Sequence, residues 1–377
     1  MGFPDELQSL GLVLTADCNL RCRYCYQDRK APAAMPWSVL RKGLDLLGRS
    51  RRPVVGVELL GGEPLLEIGL LRRALEYAAS RGSARPRMRF ALLTNGVLLD
   101  DRVADLLAEH HVQVNLSFDG LPDAQDLRAP GSFPRLDSLL TRLRRRQPAL
   151  FRRRLAVTIT VSPTAVPLLA SSFEYLIGKG IRDVAIAAAM GQSGWHREDR
   201  ATLDQQFGRI YRASLRHRRE TGRTPFVALR RPRAVPPPLP QGRWACGVAS
   251  MESLVVDVDG RVYPCAALAR SSQRLHGCLA DRMAGFALGY VGDPALAGHV
   301  AALPERVRAA GIFVRQDGKR SGYGRCASCP VVGECVVCPV ACVKDPAARR
   351  PRDVPDFLCA FNRIVLSYRR RFTPSAS

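Results

Sequence analysis

The chain has 377 residues, 46% of them apolar, and no run of 18 or more apolar residues, so a spanning helix is excluded while a sizeable core is not. Its formal net charge of +23 comes almost wholly from arginine, a balance that suits acidic partners more than basic ones. The opening MGFPDELQSL has no basic stretch ahead of an apolar one, so no secretory signal is read there and a cytoplasmic location is expected.

In chain order, short apolar runs alternate with longer amphipathic ones. Strands are predicted at Leu10–Thr15, Val54–Leu60, Met88–Thr94, Val112–Phe118, Leu155–Val161 and Asp183–Ala188. Helices are predicted between them at Trp37–Leu47, Leu65–Ala79, Asp101–Glu109, Arg135–Arg145 and Pro167–Gly178. This alternation predicts an α/β fold with a parallel sheet. Six such units are too few for a closed eight-stranded barrel, so a partial, TIM-like (β/α)6 barrel is expected over residues 1–220, with its chemistry at the C-terminal ends of the strands. A helix is expected at Arg200–Glu220, and the Pro- and Arg-rich stretch 221–243 reads as a linker. A second region, 244–377, opens with a hairpin, Leu254–Val258 and Arg261–Tyr263, turning at Asp259-Gly260. The run Arg142, Arg144, Arg145, Arg146, then Arg152, Arg153 and Arg154 reads as the end of a solvated helix and the loop after it. It has few aromatics among its charges, so no base-stacking groove is indicated and nucleic acid is not an expected partner.

Twelve cysteines without a signal peptide argue against a disulfide framework. Three fall between positions 18 and 25, and the remaining nine lie from Cys246 to Cys359. Such clustering suggests metal sites at both ends of the chain. In CNLRCRYC, Cys18, Cys22 and Cys25 follow the first strand, and soft thiolates at this spacing suit an iron–sulfur cluster or zinc. A 4Fe–4S cube takes four thiolates, so three leave one iron open to a ligand. The turn Gly61-Gly62-Glu63-Pro64 ends the second strand on the same rim, where two glycines permit close approach to the backbone. The segment Cys326–Cys338 holds two C-x-x-C pairs, which taken alone also fit zinc.

Together these motifs resemble the radical S-adenosylmethionine (SAM) superfamily. Cys18, Cys22 and Cys25 meet its signature spacing, with the usual aromatic, Tyr24, before the last cysteine. The resemblance implies that Tyr24 lies near the adenine and that Gly61, Gly62, Glu63 and Pro64 form the contact to the methionine amine. Thr94, Asn95 and Gly96 resemble the third strand end and Leu116–Gly120 the fourth, which implies cofactor contacts at Thr94, Asn95, Ser117 and Asp119. Arg128 sits where many relatives carry an arginine near the cofactor carboxylate. The activity implied is reductive cleavage of SAM to a 5′-deoxyadenosyl radical that abstracts hydrogen from a substrate.

The C-terminal region is similar to the SPASM extension of that superfamily, which implies two auxiliary 4Fe–4S clusters and so three in all. By its pattern Cys326, Cys329, Cys335 and Cys359 bind the outer cluster. Cys246, Cys265 and a later cysteine, Cys338 in preference to Cys342, bind the inner one, and Cys278 and Cys342 stay open between ligand and ordinary thiol. The resemblance leans to the peptide-modifying branch: a maturase placing an oxidative crosslink or related change on a ribosomal peptide. Ala266 stands where sulfatase maturases carry an aspartate after the cysteine, which counts against formylglycine formation. Only 17 residues precede Cys18, too few for a leader-binding domain, so leader recognition is expected on a separate protein or another surface. The basic surface suits an acidic leader, or an acidic electron donor such as flavodoxin or ferredoxin. The rival readings are a small-molecule (aminoglycoside-like) dehydrogenase or epimerase, and a zinc-containing nucleic-acid-binding protein. The catalytic acid or base is not legible; His110, His111 and His196 are expected at the surface or in caps.

Overall fold

The structure is a computed structural model, and it describes residues 3–25, 27, 31–82, 85–230, 248, 252–271, 285–311, 315–344, 350 and 352–372. Six βα units follow one another: β1 (Ser9–Thr15), α1 (Trp37–Leu47), β2 (Val54–Gly61), α2 (Ile68–Ser80), β3 (Arg87–Thr94), α3 (Asp101–Glu109) and β4 (Gln113–Ser117). Then come α4 (Pro122–Arg128), α5 (Phe133–Arg146), α6 (Pro148–Arg153), β5 (Leu155–Val161), α7 (Leu169–Gly178), β6 (Val184–Ala188), α8 (Asp199–Thr221) and α9 (Val227–Arg230). The six strands lie in sequence order and all pair in parallel. Each crossover carries a helix back over one face of the sheet.

The pleat explains the wall. Along β5 buried and half-buried residues alternate without a break. Leu10, Leu12 and Leu14 turn outward into the main apolar core beneath the helices, and α1 answers with Leu40, Leu44 and Leu47 on one stripe. The opposite residues line the inside of the barrel. In α5 the leucines 136, 139, 140 and 143 are buried, which leaves Arg142 and Arg146 outside, both paired with Asp101.

Four expectations need correction. The second and fifth crossover helices start later than expected, because Pro64–Glu67 and Pro163–Leu168 form 3-10 turns; a proline at the head of each supplies no N–H to a longer ladder. Arg152 and Arg153 lie in α6 and not in a loop. Residues 222–230 pack as structure: Phe226 is buried and bridges to Val184 on the outer edge of β6. The rest of the expected linker, 231–243, lies outside the described residues.

The hairpin also joins the barrel. Its first strand, β7 (Ser253–Val256), pairs in parallel with β1, and β8 (Val262–Tyr263) pairs antiparallel with β7. The sheet therefore has eight strands, in the order β6-β5-β4-β3-β2-β1-β7-β8. Beyond it lie α10 (Leu296–Ala301), α11 (Leu303–Ala310), β9 (Arg320–Ser321), β10 (Gly324–Arg325), α12 (Pro339–Lys344) and α13 (Asp356–Arg371). The last of these was not anticipated. Its Phe357, Phe361 and Ile364 are buried, and Phe361 meets Phe207 of α8 edge to face at 5.4 Å.

Candidate active site

Strand β1 delivers the chain to Cys18 at its C-terminal end. Thr15 Oγ1 donates to the Ala33 carbonyl at 3.0 Å and accepts the Asp17 N–H at 3.1 Å. Asp17 Oδ1 in turn accepts the Cys18 N–H at 2.8 Å. The end of β2 is laced to this loop: the Gly62 N–H donates to the Thr15 carbonyl at 3.0 Å and the Glu63 N–H to the Asp17 carbonyl at 2.9 Å. The fit leaves no room for side chains. A Cβ on Gly61, whose φ is 153°, would stand 2.6 Å from the Thr15 carbonyl oxygen. One on Gly62 would stand 2.1 Å from the Asp17 oxygen and 2.9 Å from Cys18 Cβ. The body these glycines admit in the structure is the cysteine loop. Cys18 is buried, while Cys22 and Cys25 are half-buried.

Glu63 has no exposed surface, and its carboxylate is turned into the protein. Oε1 accepts the Leu65 N–H at 3.0 Å and the Thr94 hydroxyl at 2.7 Å; Oε2 accepts the Asn95 N–H at 2.7 Å. Burial pushes this carboxyl above its ordinary range, with the three donors pulling against it. Glu63 thus ties the end of β2 to the end of β3. Asn95, so placed, donates from Nδ2 to Asn19 at 2.8 Å and lies 3.9 Å from Cys18 Sγ. Pro64 is buried at the head of its 3-10 turn.

At the end of β4, Asp119 forms a two-pronged buried ion pair with Arg128. Oδ2 accepts from Nε at 3.0 Å and Oδ1 from Nη2 at 2.8 Å. Oδ1 also accepts the Thr160 N–H at 2.8 Å, and Oδ2 accepts the Tyr24 hydroxyl. Arg128 lies over the Tyr24 ring, 5.3 Å from its centroid. Burial opposes the guanidinium's charge, but Asp119, with Cys22 and Cys25 in their thiolate form, outweighs it and raises Arg128 above its ordinary value. Asp119 and Arg128 therefore clamp the aromatic beside Cys25. Ser117 is half-buried at the tip of β4.

In the C-terminal region Cys326, Cys329, Cys335 and Cys359 line one small cavity of about 70 Å³, and Cys338 and Cys342 do not. Ser321 Oγ donates to Cys359 Sγ at 3.1 Å and Asn362 Nδ2 to Cys335 Sγ at 3.6 Å. Burial, then the neighbouring thiols, push the Cys326 thiol up to about 11. Cys342 has no exposed surface and packs with Val337 and Val354, whereas Cys265 and Cys338 border the main core. Cys246 and Cys278 lie outside the described residues.

Both thiol groups suit an iron–sulfur cluster by donor chemistry. Crowded thiols that resist ionisation are stabilised as thiolates by a bound cation, and N–H and O–H donors aimed at sulfur tune such centres. Among the described residues no three ligating side chains converge at the spacing of a single ion. The histidines are elsewhere: His110 caps α3, His111 turns toward β4 at φ 56°, and His196 bonds Asp199 ahead of α8. The sequence reading missed the inner wall of the barrel. There Glu58 of β2 is exposed, level with Gly11 of β1 and Ala91 of β3. A charged residue inside the otherwise apolar VVGVELLG was the available signal.

Comparison with known proteins bears on this geometry. Residues 12–163 match the Radical SAM superfamily. The chain is 27% identical over 184 residues to an uncharacterized protein of Methanocaldococcus jannaschii, covering 48% of this chain and 62% of that one. It is 36% identical over 135 residues to a GTP 3′,8-cyclase of Synechococcus elongatus, covering 34% and 38%. It thus spans less than two-thirds of the length of these relatives. Its fold matches anSMEcpe, solved with bound AdoMet and a Cp18Cys peptide, at a TM-score of 0.71 and 17% identity, over 97% of each chain. It also matches Streptococcus suis SuiB bound to its precursor peptide SuiA, at a TM-score of 0.52 and 15% identity, over 94% of this chain and 76% of that one. No described helix is long and apolar enough to cross a membrane. The cysteine loop at the end of β1, bonded to the glycine turn of β2, lies within residues 12–163, the part of the chain that matches the radical SAM superfamily.

Proposed function

We propose that the chain is a radical SAM peptide maturase with a SPASM-type C-terminal region, acting in the cytoplasm. The observation that carries this reading is the cysteine loop wedged against Gly61 and Gly62, with a second set of four cysteines around one cavity far along the chain. Bound at the first site, a 4Fe–4S cluster and SAM supply the 5′-deoxyadenosyl radical, which can abstract hydrogen from an unactivated carbon. Cys18, Cys22 and Cys25 hold the cluster. Gly61, Gly62, Pro64, Thr94, Asn95, Ser117 and Tyr24 form the cofactor's bed. Glu63, Asp119 and Arg128 belong to the same site through the groups they fix, since their charged heads are engaged within the protein. Cys326, Cys329, Cys335 and Cys359 hold an outer auxiliary cluster, and Cys265 and Cys338, with Cys246, an inner one. In this reading residues 1–220 are the catalytic unit and 244–377 the auxiliary-cluster unit.

The peptide substrate is supported by the fold match to proteins solved with peptides, over 97% of the one and 76% of the other. The GTP 3′,8-cyclase match favours a second reading, a small-molecule substrate, but covers only 34% of this chain. The test begins with anaerobic purification and reconstitution. About twelve irons per chain are expected for three clusters, with 5′-deoxyadenosine formed after reduction and lost in Cys22→Ala. Cys359→Ala should lose about four irons and keep the first site. Co-expression with a candidate acidic precursor peptide should yield a product lacking two hydrogens. Zinc without sulfide, and no cleavage of SAM, would refute the enzyme reading.

A further inference from the structure

The inner wall of the barrel carries one carboxylate among the described residues of β1–β6. The residues facing inward are fixed by the pleat: on β1 Gly11 and Val13, on β2 Glu58 and Leu60, on β3 Arg89, Ala91 and Leu93, and on β4 Gln113 and Asn115. The facing is independently marked, because a Cβ on Gly11 would meet Leu60 and Val255, while one on Gly43 of α1 meets Leu10 and Leu12 from the other side. Glu58 is the one carboxylate on this wall among the described residues of β1–β6.

Glu58 stands three steps before Gly61, the end of β2, so it lies about 10 Å below the rim. It makes no hydrogen bond or ion pair with another described residue. Arg89, level with Gly56 and one pair below, is not joined to it. Gly11 and Ala91 flank it in register. Solvent reaches the carboxyl, yet desolvation lifts it above the ordinary carboxylate range. A carboxylate partly stripped of water and given no cation is stabilised by whatever cation arrives. The next residues on the same face toward the rim are apolar: Leu60 on β2, and Leu93 on β3, which is 40% exposed. Apolar surface near the rim with a carboxylate beneath matches a side chain with a long methylene stem and a charged tip.

We propose that the inner wall around Glu58 is a substrate subsite that receives a lysine or arginine side chain, its stem against Leu93 and its head on the Glu58 carboxylate. This deepens the peptide reading and rests on it, because it names a basic residue near the position modified.

The test uses the full chain carrying its clusters and SAM. Binding of N-acetyl-lysine-N′-methylamide is compared with that of the norleucine and glutamate analogues, by NMR line broadening or calorimetry. Wild type should favour lysine over norleucine. Glu58→Gln should weaken lysine by about tenfold and leave norleucine unmoved. Glu58→Lys should turn the preference to glutamate. Equal lysine and norleucine binding in wild type overturns the subsite. So does a Glu58→Gln chain that has lost iron, which would make Glu58 a structural residue. If lysine binds as expected but no peptide is ever modified while a free amine is, the subsite stands and the peptide reading fails.

Discussion

At the scale of single residues, the site is built by side chains whose charged heads never reach its opening. Glu63 spends both oxygens on the ends of β2 and β3, and Asp119 spends both on Arg128, Thr160 and Tyr24. Their part is to hold the loops that carry the thiols. The glycines act the same way, and this can be tested at Gly62. Adding a methyl there drives it into the Asp17 carbonyl, which is backbone and cannot swing aside. Gly62→Ala should therefore cost the first cluster, a loss of about four irons, and abolish SAM cleavage. Gly69→Ala is the control: its Cβ meets nothing within 4 Å, so iron should be unchanged.

At the scale of elements, helices are fixed to each other by a few polar links over the apolar core. Asp137 of α5 accepts from Tyr175 of α7 and pairs with Lys179 just beyond it. Burial alone would raise this carboxyl, but the Lys179 and Tyr175 contacts outweigh it and hold it below its ordinary value of 3.8. The sign follows from linkage: a lowered folded-state pKa adds stability above about pH 3.8, and that stability is lost as pH falls through the lower folded value. Denaturant titrations of wild type and Asp137→Asn should differ at pH 6 and converge toward pH 3. A difference that widens with acid would contradict the linkage. The α8–α13 contact combines ring packing, Phe207 on Phe361 and Tyr211 beside Tyr368, with hydrogen bonds from Tyr368 to the Asp204 carbonyl and from Tyr211 to the Arg371 carbonyl. That helix was missed in the sequence because its apolar residues sit among arginines and close to Cys359, so metal spacing masked the helical period.

At the scale of the whole molecule, the C-terminal part is not merely appended. Its first strand continues the barrel sheet along the free edge of β1, from Ser9 to Leu12. Its last helix packs on α8. A fragment ending at Thr221 would expose the β1 edge and the Phe207 surface together. It should aggregate or unfold where the full chain stays dispersed, as size-exclusion chromatography and far-UV circular dichroism would show. A stable, cluster-binding fragment would instead establish independent units.

The sequence by itself determined the six βα units, the position of the first cysteine motif and the glycine turn, because each rests on local period or short spacing. Helix α3 and strand β5 fall where period alone places them. The resemblance already grouped Cys359 with Cys326, Cys329 and Cys335, but only the tertiary structure sets these four around one cavity, because spacing alone does not measure how the chain returns over the intervening residues. The tertiary structure alone turned Glu63 and Asp119 inward, left Glu58 facing the barrel without a partner among the described residues, and joined β7 to β1. Those outcomes depend on which face of a strand meets which neighbour, and a chain pattern carries no record of contacts made hundreds of residues away.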